Sequence, residues 1–176
     1  MLTLSIFLHA KSSWDDGSLK DADRPLSERG RAAAPSMGNY MLRERLRPDL
    51  VLSSPSVRTR QTCELAFAAF PTPLDVRFES VLYLASVRTL LGRIRKAPVS
   101  SRHLMLVGHN PGLHLLALEL IGAPAKLPPA VGLADLKDKL PTGGLVVVEF
   151  ECGTWSDAGP GRGRLACFVA PRMLVG

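Results

Sequence analysis

The sequence is poor in the residues and patterns that mark several classes of protein. Of its 176 residues only three are cysteine (Cys63, Cys152 and Cys167), with no CxxC spacing, so we expect a reducing cytoplasm rather than a disulfide framework. Aromatic residues make up 6%, too few for an obvious base-stacking platform. No apolar run approaches the roughly 18 residues that a membrane span needs. These absences favour a cytoplasmic globular protein without a membrane segment.

Positive charge, by contrast, is in excess. Lys and Arg number 22 against 16 Asp and Glu, a formal net charge of +6. Such an excess fits a nucleic-acid binder, a pocket for a small phosphorylated substrate, or a solvated surface. The sequence has no Lys/Arg block of the kind that binds nucleic acid. A basic nucleic-acid-binding protein is therefore the weakest alternative, and the total charge alone does not choose between the others.

Hydrophobic periodicity predicts strands and helices in alternation. Strands are predicted over 2–8, 50–52, 103–107, 144–152 and 165–170, and helices over 28–46, 57–70, 87–96 and 112–121. Pro35 is expected to kink or divide the first helix. Residues 122–140 are predicted as a loop with at least one helical turn, and the last two strands as an antiparallel hairpin. The pattern predicts one α/β domain over residues 1–176, a three-layer α/β/α sandwich with a mostly parallel central sheet and a late antiparallel hairpin.

Polar and basic side chains follow the predicted strand ends, where open α/β sheets bind ligands. Residues 9–15 follow the first strand, 53–58 the second and 108–112 the third, and residues 141–143 precede the hairpin. Together they supply two histidines, an arginine, several hydroxyls and a helix N-terminus. These are the parts of a phosphoryl-transfer site.

The same segments carry a family resemblance. The matching residues run in order along nearly the whole chain: 9–14, 23–27, 30–31, 53–55, 58, 61–62, 82–83, 107–112, 141–142, Trp155, Phe168, Pro171 and Arg172. In these the sequence resembles the histidine phosphatase superfamily, with its phosphoglycerate-mutase-like fold, and most closely the SixA-type phosphohistidine phosphatases. The resemblance implies a phosphatase without a cofactor, acting on a phosphohistidine-bearing protein or a small phosphorylated substrate. We expect a monomer.

The resemblance also implies residue roles. His9 would be the nucleophile that forms a phosphohistidine intermediate. Arg58 would clamp the phosphoryl oxygens with its planar fork, and His109 would stabilise charge on the transferring group.

Further phosphate-site candidates come from the same resemblance. They are Ser12, Asp15, Asn110, Thr142 and Gly143. Asp15 and Thr142 are equally compatible with ordinary turn residues.

Two departures from the family pattern bear on activity. The family carries an Arg-His pair at the end of the first strand, and here the arginine position is Leu8. Lys11, Arg24 or Arg31 could supply part of the missing charge. A catalytically impaired phospholigand-binding module is therefore an alternative to an active phosphatase.

The second departure concerns the general acid. The sequence has no unambiguous counterpart of the family's acid, and Glu79 is the nearest candidate by order along the chain. An imidazole leaving group has a pKa of about 6.5 and departs readily, whereas an alkoxide needs a proton. A missing acid thus favours N–P over O–P hydrolysis. The spacings of His103, His109 and His114 suit no metal site.

Overall fold

Strands and helices alternate along the chain as the hydrophobic pattern predicts. The computed structural model describes residues 1–122 and 132–175. Its strands are β1 (Leu2–Leu8), β2 (Leu50–Ser53), β3 (Val76–Phe78), β4 (His103–Gly108), β5 (Leu145–Phe150) and β6 (Gly163–Val169). Its helices are α1 (Glu28–Arg43), α2 (Val57–Phe67), α3 (Val87–Arg95), α4 (Gly112–Leu120) and α5 (Leu133–Asp138). Short 3₁₀ turns cover Asp21–Asp23, Ser80–Leu82, Trp155–Asp157 and Pro171–Leu174.

These strands form one sheet in the order β3-β2-β4-β1-β5-β6. Strand β1 pairs in parallel with β4, β4 with β2, and β2 with β3. Strand β5 runs antiparallel to both β1 and β6. The mostly parallel sheet and the late antiparallel hairpin are both confirmed.

Helices cover both faces of the sheet, which confirms the three-layer α/β/α prediction. In β1, Leu2, Leu4, Ile6 and Leu8 join the core under α3, α4 and α5, whereas Phe7 joins the core under α1 and α2. The alternation of side chains along a strand produces this division. Burying such a leucine contributes about 1.5–3 kcal/mol relative to leaving it exposed.

Serine side chains fix where three of the helices begin. Ser27, Ser56 and Ser86 each accept a hydrogen bond from a backbone N–H in the first turn, of α1, α2 and α3 respectively. Helix α1 continues through Pro35 without division. The carbonyl left without a partner belongs to Arg31, which is exposed, so water can satisfy it.

The predicted boundaries differ from the observed ones in a few places. Helix α1 ends at Arg43 rather than near residue 46, and α2 ends at Phe67 rather than at residue 70. Strand β3 was not predicted, because it is a three-residue edge strand without a hydrophobic run. Helix α5 is the helical turn expected within residues 122–140. The other part of that predicted loop, residues 123–131, lies outside the described residues. Within the described ranges no helix is long and apolar enough to cross a membrane.

Candidate active site

His9 follows the last residue of β1, at the edge where the parallel strands β1, β2 and β4 end and β5 begins. Its Nδ1 lies 2.6 Å from the backbone oxygen of Ala10. A carbonyl can only accept, so Nδ1 carries the proton and Nε2 keeps a free lone pair. Burial lowers the pKa of His9 to about 4, and the charges of Arg58 and Arg24 act in the same direction. At neutral pH the side chain is therefore an uncharged imidazole with its lone pair at Nε2.

Arg58 projects from the first turn of α2, and its side chain is 3% exposed. Its Nη1 donates to the backbone oxygen of Asp21 at 2.6 Å, and its Nη2 donates to Asp21 Oδ2 at 2.9 Å. Its Nε is buried and has no hydrogen-bond partner among the described residues. A buried donor left unpaired costs about 1–3 kcal/mol. This donor can be satisfied by an acceptor oxygen of a ligand.

His109 follows β4 and is 4% exposed. Its Nδ1 lies 3.2 Å from Arg58 Nη2, and its Nε2 lies 2.7 Å from Ser54 Oγ. Because a guanidinium only donates, Nδ1 accepts, and Nε2 carries the proton and donates to Ser54. Burial, followed by the charge of Arg58, lowers the pKa of His109 to about 3. The ring centroids of His9 and His109 are 5.5 Å apart, so the structure brings His9, Arg58 and His109 together.

Two further contacts hold the end of β1 in place. Thr62 Oγ1 accepts from the N–H of Ala10 at 3.0 Å and donates to the backbone oxygen of Arg58 at 2.7 Å. Gly143 donates its N–H to the backbone oxygen of His9 at 2.9 Å. Its φ is +74°, and a Cβ there would lie 2.8 Å from Pro171 Cγ. Both constraints favour glycine, so Gly143 positions His9 rather than offering its N–H to a phosphate.

Two of the predicted phosphate-site residues, Ser12 and Asp15, lie on the loop after β1. Ser12 is buried, and its Oγ accepts from Arg24 Nη1 at 2.9 Å. Asp15 is exposed, and its carboxylate makes no hydrogen bond to any of the described residues. Ser12 thus contacts Arg24, and Asp15 does not.

Asn110 and Thr142, which were also predicted as phosphate-site residues, differ in their contacts. Asn110 Nδ2 donates to the backbone oxygen of Leu140 at 2.9 Å, and its Oδ1 accepts from the N–H of His114 at 3.2 Å. Its amide therefore joins the start of α4 to the segment before β5. Thr142 lines a cavity next to His9.

Glu79 is engaged elsewhere. Its Oε1 accepts from Arg93 Nε at 2.7 Å and its Oε2 accepts from Arg93 Nη2 at 2.9 Å. Both carboxylate oxygens are thus occupied by an arginine on α3. The structure gives the predicted general-acid role of Glu79 no support.

Asp21 is a site residue that the sequence interpretation missed. Its Oδ1 accepts from Arg24 Nη2 at 3.1 Å, and its Oδ2 accepts from Arg58 and from the hydroxyl of Tyr83. The bond from Tyr83, and after it those from the two guanidinium groups, hold the pKa of Asp21 well below its usual range. The only signal in the sequence is an acid three residues before Arg24, on a segment with no periodic pattern.

The surroundings of Leu8 and Arg24 show which side chain can replace the arginine that residue 8 lacks. Leu8 is 2% exposed and packs in the core cluster under α3 and α4. Arg24 is 7% exposed, stacks over Trp14 at 3.5 Å and shares the Asp21 carboxylate with Arg58. Of the three residues that the sequence offered as substitutes, Arg24 is thus the one tied to Arg58.

The other two substitutes lie apart from that carboxylate. Lys11 lines the cavity next to His9. Arg31 is exposed on α1, and its side chain bonds none of the described residues. Among residues 1–122 and 132–175, no three His, Cys, Asp or Glu side chains are grouped as metal ligands would be.

The two neutral histidines should make the fold sensitive to mild acid. Below pH 6.5 the unfolded chain binds protons that His9 and His109 in the folded protein do not, down to their folded pKa values of about 4 and about 3. The free energy of unfolding should therefore fall as the pH drops through this window, by about 1.4 kcal/mol per pH unit for each histidine. Chemical denaturation across the window measures the slope. His109→Gln should reduce this slope by the contribution of one histidine. An unchanged slope would contradict a neutral His109 in the folded protein.

Comparisons with known proteins show similarity in sequence and in fold. Residues 6–80 match the histidine phosphatase superfamily (branch 1). SixA from Agrobacterium tumefaciens is 32% identical, with 97% of this chain and 98% of that chain covered and a TM-score of 0.76. SixA from Nakamurella multipartitia is 28% identical, with 97% and 96% covered and a TM-score of 0.78. An uncharacterized protein of Mycobacterium tuberculosis is 34% identical over 93% of this chain and 99% of its own length. The chain belongs to the histidine phosphatase superfamily.

Proposed function

We propose that this protein is a phosphohistidine phosphatase that works through a phosphoryl intermediate on His9. The observation that carries the proposal is the state of His9: an uncharged ring whose Nδ1 is bonded to Ala10, leaving the Nε2 lone pair free. Next to it lies Arg58, whose buried Nε donor has no acceptor among the residues that the structure describes. A nucleophile that needs no deprotonation and an unpaired cationic donor suit attack on a phosphoryl group.

In the first step, the substrate's phosphorylated imidazole carries a proton on its other ring nitrogen. The Nε2 lone pair of His9 attacks phosphorus, and the bond from phosphorus to the leaving nitrogen breaks. The electron pair of that bond goes to the departing ring, which leaves as neutral imidazole, and the phosphoryl group becomes attached to His9. Arg58 and Arg24 offset the charge that builds up on the phosphoryl oxygens. Before the substrate binds, both arginines donate N–H groups to the Asp21 carboxylate. As the phosphoryl group arrives, these N–H groups must either be shared between the carboxylate and the phosphoryl oxygens or leave the carboxylate.

In the second step, water attacks the phosphorus of phosphorylated His9. The N–P bond breaks, the electron pair returns to Nε2, and inorganic phosphate leaves with the protons of the attacking water. The hydrogen bond from Nδ1 to Ala10 holds the ring in the same orientation throughout. His109, whose Nδ1 accepts from Arg58, keeps the guanidinium aimed at the phosphoryl group.

The groups around the site support N–P rather than O–P bonds as the substrate. Glu79 is engaged by Arg93, and the pKa of Asp21 lies well below its usual range because of Tyr83 and the two arginines. Neither carboxylate is suited to donate a proton to an alkoxide. An imidazole leaving group, whose protonated form has a pKa of about 6.5, can take its proton from solvent on the other ring nitrogen and does not need that donor.

The alternative, an impaired module that binds phospholigands, rests on Leu8. We infer instead that Arg24 supplies the second guanidinium, since it is buried, acts on the charge state of His9 and shares Asp21 with Arg58. The chain would then be an active phosphatase with its second arginine on a different segment.

Leu8→Arg tests that inference. Because Arg24 already fills the role, we expect no gain in kcat/KM of the size, about 10²–10³-fold, that restoring a missing charged donor would give. Leu8→Met is the matched control for disturbance of the core. A gain of that size in Leu8→Arg alone would support the impaired module.

The function itself is tested with three substrates: a phosphohistidine peptide, a phosphoserine peptide of the same sequence, and an aryl phosphate. Without a general acid, kcat/KM should favour phosphohistidine over phosphoserine by about 10²–10⁴-fold, the usual contribution of such an acid. Equal rates on the two peptides would contradict the N–P assignment. Absence of hydrolysis of all three would contradict a phosphatase.

A further inference from the structure

The cavity next to His9 concentrates positive charge that the reaction itself does not use. Its volume is about 380 Å³, and its lining includes four cationic side chains: Lys11, Arg29, Lys139 and Arg172. None of its lining residues in the described ranges is an aspartate or glutamate. The four cations come from four separate segments: the loop after β1, helix α1, the segment before β5 and the turn after β6. We call these four side chains the basic rim.

The basic rim is not neutralised by the fold. None of its four side chains forms an ion pair or a side-chain hydrogen bond with another residue in the described part of the chain. The arginines of the reacting site, by contrast, share the carboxylate of Asp21. Like charges held around one opening repel one another and favour an anionic partner.

The arrangement of the basic rim distinguishes among anionic partners. All four of its residues are exposed. The lining also includes Leu8 and Leu140, which are buried, and His9 and Thr142, which are half-buried, and we call these four residues the floor of the cavity. A second phosphate of a small substrate is typically held by converging, desolvated cations. Exposed cations spread over four segments instead attract an extended acidic surface and steer its approach.

We propose that the basic rim docks acidic residues that flank the phosphohistidine of a protein substrate. This proposal rests on the phosphohistidine phosphatase function proposed above. Arg58 and His109 do not line the cavity, so a phosphoryl group between His9 and Arg58 leaves it open to the rest of the substrate. The substrate's imidazole approaches over the uncharged floor, and carboxylates on either side of it meet the basic rim.

The test compares two phosphohistidine peptides that differ only in their flanking residues, glutamate in one and glutamine in the other. At about 0.01 M ionic strength, kcat/KM should be about tenfold or more higher for the glutamate peptide, the lower range of electrostatic steering. The preference should shrink at about 0.15 M, where the Debye length falls from about 30 Å to about 8 Å.

Charge reversal identifies the surface responsible. The double variant Arg29→Glu with Arg172→Glu should lose the preference for the glutamate peptide or invert it. The double variant Lys96→Glu with Arg45→Glu is the matched control, because both residues are exposed and follow α3 and α1 at the opposite edge of the sheet, where β4 and β2 begin. That control should keep the preference, and thermal unfolding of each variant reports whether it folds.

The outcomes separate this proposal from the one it rests on. Equal kcat/KM for both peptides at about 0.01 M ionic strength, where screening is weakest, would overturn docking by the basic rim while leaving the phosphatase intact. Strong inhibition by inorganic tripolyphosphate without any preference between the peptides would also overturn it, and would assign the basic rim to a small polyanion. Failure to hydrolyse both peptides and the aryl phosphate would overturn the phosphatase itself.

Discussion

Replacing His9 by glutamine should lower kcat/KM for a phosphohistidine peptide by about 10⁴–10⁶-fold, the range seen when a nucleophilic catalytic unit is disabled. The reason is that the Nε2 lone pair is the attacking group, and a glutamine amide nitrogen has no comparable nucleophilicity. Steady-state kinetics on wild type and variant measure the loss. The effect should lie in kcat, since Arg58 and Arg24 remain to bind the phosphoryl group.

A matched histidine shows that the loss is specific. His103 begins β4 at the opposite edge of the sheet, where its Nε2 lies 2.8 Å from Ser5 Oγ. His103→Gln removes a half-buried histidine away from the site and should retain activity. A His9→Gln variant that folds and keeps more than a small fraction of wild-type kcat would be incompatible with a nucleophilic His9.

Arg24→Gln should lower kcat/KM by about 10²–10³-fold, the usual cost of removing a preorganised charged donor from a transition state. Arg24 is buried, is stacked on Trp14 and shares the Asp21 carboxylate with Arg58. Lysine keeps the charge and loses the planar fork. Arg24→Lys should therefore fall between the wild type and Arg24→Gln.

The second-site test makes this prediction sharper. If Arg24 carries the charge that the family places at residue 8, Leu8→Arg should restore activity to Arg24→Gln while adding little to the wild type. Arg31→Gln, an exposed substitution on α1, is the matched control and should leave kcat/KM unchanged. Loss of activity in Arg24→Gln that Leu8→Arg does not restore would limit Arg24 to holding Asp21 and Ser12 in place.

The sequence was sufficient to predict the layers of the fold and the edge where the site lies. Alternation in Leu2, Leu4, Ile6 and Leu8 against Phe7 identified both faces of β1. The predicted segments after β1, β2 and β4 meet at one edge because the three strands are parallel. His9 and His109 are therefore neighbours because each follows one of two adjacent parallel strands, and the periodicity of the sequence predicts both strands.

The sequence was less informative about residues whose position depends on loop conformation. Asp21 reaches both arginines from a 3₁₀ turn on the long segment between β1 and α1, which has no periodicity to interpret. Asp15 lies on the same segment, six residues away, and its exposed side chain makes no bond to that cluster. The sequence pattern pointed to Asp15 and not to Asp21, because only tertiary contacts decide which of the two carboxylates reaches the arginines.

The sequence pattern also did not predict which side chains are hydrogen-bonded to one another. Glu79 was chosen by its order along the chain, and its partner Arg93 lies on a helix that packs beside it. Asn110 sits next to His109, yet its amide joins Leu140 and His114. The excess positive charge was visible as a total, whereas its concentration around the cavity required four separate segments to come together.

The most direct test of the account is to trap the phosphoryl intermediate and identify the atom that carries it. The enzyme is mixed with a phosphohistidine peptide and quenched rapidly, and mass spectrometry and ³¹P NMR locate the group. Because Nδ1 of His9 is bonded to Ala10, we predict a phosphoryl group on Nε2 of His9. Phosphorylation at Nδ1 or at another residue, or turnover with no trapped intermediate on His9, would contradict it.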